Sequence, residues 1–119
     1  MKYSNYSPIN ARSNSTISSK AVDIQQVVKM SYQVVAGTGT INGSLQAQVS
    51  NDDTLQGDRN VAVPVNWSNL GSATSLSTAG VTLVTQQDMC YRYLRFVFTD
   101  SSGGTSTGNV SVQVMQLGV

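Results

Sequence analysis

Apolar and polar residues alternate with a period of two along most of this 119-residue chain. The alternation is regular over residues 43–50, where Leu45, Ala47 and Val49 share one parity and hydroxyl or amide side chains take the other. Because successive side chains of a strand point to opposite faces of a sheet, this segment is predicted to be a half-buried strand. Similar patterns predict strands over residues 16–24, 25–36, 61–67, 81–86, 90–99 and 106–117.

Two of these segments carry information about their place in a sheet. Residues 61–67 include Pro64, which has no N–H to donate, so this strand is expected at an edge or at a bulge. Residues 90–99 are apolar on both faces, which favours a central strand. Residues 100–104 read Asp-Ser-Ser-Gly-Gly, a turn sequence that predicts a strand–turn–strand hairpin between residues 91 and 117.

About eight strands without a convincing helix predict the fold class. We expect an all-β protein, an antiparallel two-sheet β-sandwich that is jelly-roll-like or another Greek key, over residues 17–119. Residues 1–16 lack an apolar period and are predicted to form an extended N-terminal arm. This arm is either a frayed terminus or a strap across a neighbouring subunit, with Tyr3 and Tyr6 as anchors. In the second case, deletion of residues 1–15 is expected to leave a folded domain that no longer assembles.

Composition and charge narrow the range of partners. Ser, Thr, Asn and Gln make up 47 of the 119 residues, and only 11% are charged. Seven Lys and Arg residues are scattered among six Asp residues, so there is no basic footprint for nucleic acid or anionic lipid. No apolar run reaches the length of a transmembrane helix and no secretory signal is evident, which predicts cytoplasmic synthesis and no membrane partner. Uncharged polar faces suit packing in a dense assembly or contact with glycans.

The ionisable residues argue against catalysis. The chain has neither His nor Glu, which excludes imidazole catalysis and His metal sites. All six Asp residues lie at predicted strand ends or turns, and no opposed carboxylate pair suited to glycoside hydrolysis emerges. Asp52, Asp53 and Asp58 lack a specific Ca²⁺-loop spacing, so no metal or cofactor is predicted. Cys90, the single cysteine, is predicted to be a buried thiol, with an intermolecular disulfide or a reactive thiol as the alternative.

Aromatic and cationic residues supply the candidate binding surfaces. If Tyr91, Tyr93 and Arg95 share an exposed face, they form a strip that stacks on glycans or hydrogen-bonds a subunit. The alternative is a strand whose Arg stems cover the neighbouring rings. Trp67 shares the parity of Val65 and is assigned to the core, with an exposed stacking platform as the alternative. The candidate subunit-interface residues are Tyr3, Tyr6, Ile9, Arg12, Tyr91, Tyr93 and Arg95, and the candidate glycan-stacking residues are Trp67, Tyr91 and Tyr93.

Four pieces of the sequence occur in an order that resembles a known group of proteins. Residues 43–52 read GSLQAQVSND, Trp67 follows, residues 91–99 read YRYLRFVFT, and residues 102–110 read SGGTSTGNV. This order is similar to that of small β-sandwich virion proteins of tailed bacteriophages, and it covers residues 43–117. Parts of it also resemble discoidin-like glycan-binding sandwiches. Asp53 stands where the phage sequences often have Gly, and Trp67 comes later than in them, so the resemblance does not extend to a ligand-carrying hairpin tip.

The residues and the resemblance together predict a non-enzymatic structural protein of a phage virion. The leading hypothesis is a capsid decoration or cement subunit that forms a homo-oligomer and binds the major capsid protein or another virion protein. Such a subunit is assembled into virions in the host cytoplasm. The alternatives are a glycan-binding module of a tail or head fibre and a small coat subunit. The resemblance implies no catalytic residues.

Overall fold

A computed structural model describes residues 2–52, 64–77, 79–86 and 88–118 of the chain. Over these residues the regular structure consists of nine strands, and no helix able to cross a membrane is found among them. The strands are β1 (Lys2–Arg12), β2 (Ile17–Ser18), β3 (Val22–Asp23), β4 (Val27–Ala36), β5 (Gly43–Ser50), β6 (Ser68–Leu76), β7 (Gly80–Gln86), β8 (Tyr93–Asp100) and β9 (Asn109–Gly118).

The strands form two antiparallel sheets packed face to face. The four-stranded sheet has the order β1-β9-β4-β7, and the five-stranded sheet has the order β2-β8-β5-β6 with β3 also paired to β8. The pairs are nested along the chain, since β1 pairs with β9, β2 and β3 with β8, β4 with β7, and β5 with β6. A long hairpin rolled up in this way is a jelly roll, and the predicted antiparallel β-sandwich is confirmed.

The core lies between the sheets and is built from one parity of each central strand. The Tyr32 ring of β4 meets Phe96 of β8 edge to face, with 5.0 Å between the ring centroids, so the two sheets are in direct aromatic contact. Even-numbered residues are buried over 94–98 of β8 and 110–116 of β9, and the odd-numbered residues between them are more exposed. The largest fully buried side chains on the central strands are Val34, Leu45, Leu94, Phe96, Phe98, Val110 and Val112.

β8 and β9 do not form the hairpin predicted between residues 91 and 117. The turn chemistry is present, because the Asp100 carboxylate accepts hydrogen bonds from the backbone N–H groups of Ser102 at 2.8 Å and Gly104 at 3.0 Å. The following segment nevertheless carries the chain to the other sheet, where β9 pairs with β1 and β4. The prediction was wrong because turn residues specify a chain reversal and not the sheet in which the next strand pairs.

The strand predicted over residues 61–67 is displaced along the chain. Residues 61–63 fall outside the described residues, and residues 64–67 have no strand conformation. The chain instead enters β6 at Ser68 and pairs with β5. β6 was not predicted from the sequence because most of its side chains are exposed on both faces, so the segment has no apolar alternation.

Residues 2–12, expected to belong to a separate arm, form β1 at the edge of the four-stranded sheet. β1 pairs with β9 of the same chain along its length, with one irregularity between Tyr6 and Ile9. The Ile9 side chain is 2% exposed and belongs to the core. The strand was not recognised because a bulge interrupts its alternation and its outward residues are polar or aromatic. In the structure, residues 2–12 are therefore part of the domain.

Gly43 at the start of β5 is expected to tolerate no side chain. A Cβ atom there would lie 2.3 Å from the carbonyl oxygen of Thr99 and 2.7 Å from the ring of Phe98. Because the backbone would have to move, Gly43→Ala should lower the free energy of unfolding by about 3 kcal/mol. Gly80→Ala, with nothing within 4 Å of the added atom, is the matched control and should cost less than about 0.5 kcal/mol. Urea unfolding compares the two, and equal midpoints would contradict the close packing of β5 on β8.

Candidate functional site

The outer face of the five-stranded sheet carries one aromatic, one cationic and two amide side chains in contact. Both immediate neighbours of Arg95 in β8, Leu94 and Phe96, are buried, so Arg95 points outward. Partial burial lowers the pKa of Arg95. Its guanidinium carbon lies 4.4 Å from the centroid of the Trp67 ring, a cation–π contact. Arg95 Nε donates a hydrogen bond to Gln48 at 2.8 Å, and the Gln48 amide donates to Asn69 at 3.1 Å. We call these four residues the Trp67 cluster.

Trp67 is held in place by the segment that precedes β6. Its indole Nε1 donates a hydrogen bond to the carbonyl oxygen of Pro64 at 3.1 Å. The Asp52 carboxylate accepts hydrogen bonds from the backbone N–H groups of Asn66 at 2.9 Å and Val65 at 2.7 Å, and these bonds, led by Asn66, lower the pKa of Asp52. The assignment of Trp67 to the core was wrong, since the ring is half-buried on the outside of the sheet. The strand parity on which that assignment depended does not apply to residues 64–67.

The two tyrosines near Arg95 lie in different surroundings. Tyr93 shares the outward parity of Arg95 in β8 and is half-buried. Tyr91 precedes β8, packs against the core and lines a groove of about 190 Å³ together with Asn51. Of the three residues of the strip, the structure places Tyr93 and Arg95 on one face, and Trp67 contacts Arg95. Sequence analysis could not find this arrangement because it joins segments that are distant in the chain.

The four candidate interface residues of β1 divide between the surface and the interior. Tyr3 is 71% exposed, and Arg12 is exposed at the end of the strand. Tyr6 is half-buried, and its hydroxyl accepts a hydrogen bond from the side-chain amide of Gln116 at 2.5 Å. Ile9 lies in the core and has no surface to offer a partner. Tyr3 and Arg12 are therefore the accessible candidates on this strand.

Alkaline unfolding is expected to depend on Tyr6. Burial raises the pKa of Tyr6 from 10.0 to about 12, so the phenol ionises at lower pH in the unfolded chain than in the folded one. The contribution of Tyr6 to the free energy of unfolding is therefore fully present below about pH 10, and it is lost as the pH rises from about 10 to about 12. Tyr6→Phe should flatten this decline in a series of urea titrations, although not abolish it, because burial also raises the pKa of Tyr32. A Tyr6→Phe chain that keeps the wild-type decline would contradict the burial of Tyr6.

The outer face of the four-stranded sheet is uncharged across its central rows. Leu83 and Val81 are 69% and 64% exposed, and the Gln33 amide donates a hydrogen bond to Gln113 beside them. Because apolar groups here lie among neutral amides and hydroxyls, the face can pack on another surface without desolvating a charge. We call this surface the neutral face, and its rows, aligned by strand register, are Ser111, Val35 and Val81; Gln113, Gln33 and Leu83; and Met115, Ser31 and Thr85.

The neutral face could not be recognised from the sequence as a whole, although one signal for it was present. Val81 and Leu83 share a parity opposite to that of Val84, so one of the two sets had to lie on an outer face. The remaining rows come from β4 and β9, whose position beside β7 follows from the topology and not from any local pattern.

The described residues contain no group of three or more His, Cys, Asp or Glu side chains able to hold a metal ion. Asp53 and Asp58 lie outside the described residues, while the Asp52 carboxylate accepts hydrogen bonds from the segment before β6.

Cys90 is exposed, so the prediction of a buried thiol was wrong, and Met89 takes the buried position next to it. The described residues therefore leave two candidate surfaces, the Trp67 cluster and the neutral face.

Solved structures with the same fold come from a prophage and from bacterial spores. The SPBc2 prophage-derived protein YomS matches with a TM-score of 0.61 and 11% identity, over 97% of this chain and 92% of that chain. A chain of the Bacillus endospore appendages, described as disulfide-linked pili, matches with a TM-score of 0.53 and 12% identity, over 99% of this chain and 88% of that chain. At this identity the similarity shows a shared fold. No protein-family model and no curated protein matches the sequence.

Proposed function

We propose that this chain is a non-enzymatic structural subunit of a phage virion and acts as a capsid decoration subunit. The observation that carries the proposal is the neutral face, where Val81, Leu83 and Met115 are exposed on an uncharged sheet surface. Exposed apolar side chains on a surface without charges are typical of contact sites on soluble proteins. The shared fold with a prophage-derived protein and with a subunit of spore pili supports a role in an assembled particle.

In this role the chain self-associates and binds the major capsid protein at the capsid surface. Each contact is modest, but the symmetry of the shell repeats it many times, so the sum resists expansion of the shell. A chain with 11% charged residues and a net charge of +1 also packs densely with little mutual repulsion. Outside the neutral face, the candidate contacts to the capsid are Tyr3, Arg12, Tyr93 and Arg95.

The test uses gradient-purified particles of the phage that encodes the chain and particles from which its coding sequence has been deleted. Quantitative mass spectrometry should find the chain in many copies per wild-type particle. The deleted particles should release DNA at a lower temperature, and the purified chain added back should restore the wild-type temperature. Absence of the chain from purified particles, or its presence in only a few copies, would overturn the decoration role.

A glycan-binding module of a tail or head fibre is a second candidate function, favoured by the Trp67 cluster. The Trp67 ring lies outside the core beside a guanidinium group and two amides, which are the groups that stack on sugar rings and bond their hydroxyls. A glycan array probed with the wild type, Trp67→Ala and Tyr3→Ala separates the functions. A module of this kind should lose its signal in Trp67→Ala and keep it in Tyr3→Ala, whereas a wild type without any signal would exclude it.

A further inference from the structure

The strand β7 is a sheet edge without the features that protect the other edges. Natural sheets blunt their edges with charges, prolines, bulges or very short strands. At the opposite edge of the same sheet, β1 carries Lys2, Pro8 and Arg12 and has an irregular register. In the five-stranded sheet, β2 and β3 are two residues long, and β6 contains a register shift where Gly71 has a φ of 71°.

β7 has none of these protective features. Its sequence, GVTLVTQ, contains no charged residue and no proline, and it pairs with β4 over seven consecutive residues without a register shift. Within the part of the chain that the structure describes, no other strand pairs with its outer edge. A regular edge strand rich in Val, Leu and Thr presents unpaired backbone groups and is a ready site for pairing with another chain.

We infer that β7 pairs with β7 of a second copy of this chain, antiparallel and about a twofold axis at Leu83. Leu83 is the central residue of the seven, so the strand can align with itself over its whole length. In this register Leu83 opposes its own copy, Val81 opposes Thr85, and Thr82 opposes Val84. The two four-stranded sheets become one sheet of eight strands with both neutral faces on the same side.

A second copy fits this edge because β7 is uncharged and its central residue, Leu83, is apolar, so two copies can align without opposing like charges. A charged residue at this position would meet a like charge, whereas Leu83 meets an apolar side chain and forms a favourable cross-strand pair. The pairing also gives hydrogen-bond partners to the backbone N–H and C=O groups at the edge of β7. This inference rests on the proposed function, since it names the contact through which the structural subunits associate.

Disulfide trapping tests the register directly. In a Cys90→Ser background, Leu83→Cys places the thiols of two copies directly opposite each other, with Cα atoms about 5 Å apart, which a disulfide can span. Val81→Cys, on the same strand and face, is the matched control, because its thiol lies about 14 Å from that of its own copy, four residues away at about 3.4 Å per residue. The double variant Val81→Cys, Thr85→Cys restores opposed thiols in the same register.

The expected result is a covalent dimer for Leu83→Cys and for the double variant after mild oxidation, and at least tenfold less dimer for Val81→Cys. Equal trapping of Leu83→Cys and Val81→Cys would overturn the register. A wild type that sediments as a monomer at every concentration would overturn the pairing itself.

A charged residue placed on the twofold axis tests the β7 pairing independently of disulfide trapping. Leu83→Lys should weaken dimerisation in sedimentation velocity at least tenfold, while Asn10→Lys, which adds the same charge to exposed β1, should not change it. An equimolar mixture of Leu83→Lys and Leu83→Asp chains should reassociate, because the axis sets the two opposite charges together. Dimerisation that is unaffected by Leu83→Lys would place the contact elsewhere. The virion role fails separately, if the wild-type chain dimerises as described but is absent from purified particles.

Discussion

A chain that begins at residue 13 is expected to be unfolded at 25 °C. Removal of residues 1–12 takes away the whole of β1, which pairs with β9 along its length, and the buried side chain of Ile9. Loss of that side chain alone is expected to cost about 2–5 kcal/mol. Domains of this size have a free energy of unfolding of only about 5–15 kcal/mol, so the free energy lost with the whole strand exceeds the stability of the domain. Circular dichroism during thermal unfolding should show no cooperative transition for the truncated chain.

Two point variants separate the contribution of the buried Ile9 side chain from that of the whole strand. Ile9→Ala should remain folded with a lowered midpoint, and Asn10→Ala, its exposed neighbour, should stay within about 0.5 kcal/mol of the wild type. A peptide of residues 1–12 added to the truncated chain should restore the transition, since it supplies the missing strand. A truncated chain with the same unfolding temperature as the full-length protein would show that residues 1–12 are a dispensable arm.

Phe96→Ala is expected to be the most damaging single truncation of a side chain in the core. Phe96 is 1% exposed and meets Tyr32 of the opposite sheet, so its removal leaves a cavity at the contact between the layers. The expected loss is about 3–5 kcal/mol in the free energy of unfolding. Urea unfolding measures it, with Val97→Ala, on the outward face of the same strand, as the control that should lose less than about 1 kcal/mol. A loss of similar size in both variants would contradict the inward and outward parity of β8.

Strands with a clean apolar alternation could be predicted from the sequence, whereas two of the edge strands, β1 and β6, could not. β5 spans residues 43–50 as expected, because its inward side chains alternate with amides and hydroxyls that face the solvent. β1 was missed because a bulge interrupts its alternation, and β6 was missed because most of its side chains are exposed on both faces. Local patterns also could not indicate that β8 and β9 belong to different sheets.

The candidate surfaces were predictable only where they depend on strand parity. The outward position of Arg95 and Tyr93 follows from the alternation of β8, and it is one of the two alternatives that the sequence leaves open for this segment. The contact of Arg95 with Trp67 depends on the path of the chain before β6, where Asp52 holds the backbone of the preceding residues. The neutral face depends on three strands from separate parts of the chain becoming neighbours, which is a property of the jelly roll and not of any segment.

Cryo-electron microscopy of purified particles is the most direct test of the structural role. The account predicts a two-layered β-sandwich of about 119 residues at regular positions on the outer surface of the capsid shell, in contact with the major capsid protein. That density should be missing from particles made without the chain and should return when the purified chain is added back. A shell without such density, or the chain found only at a fibre tip, would contradict the account.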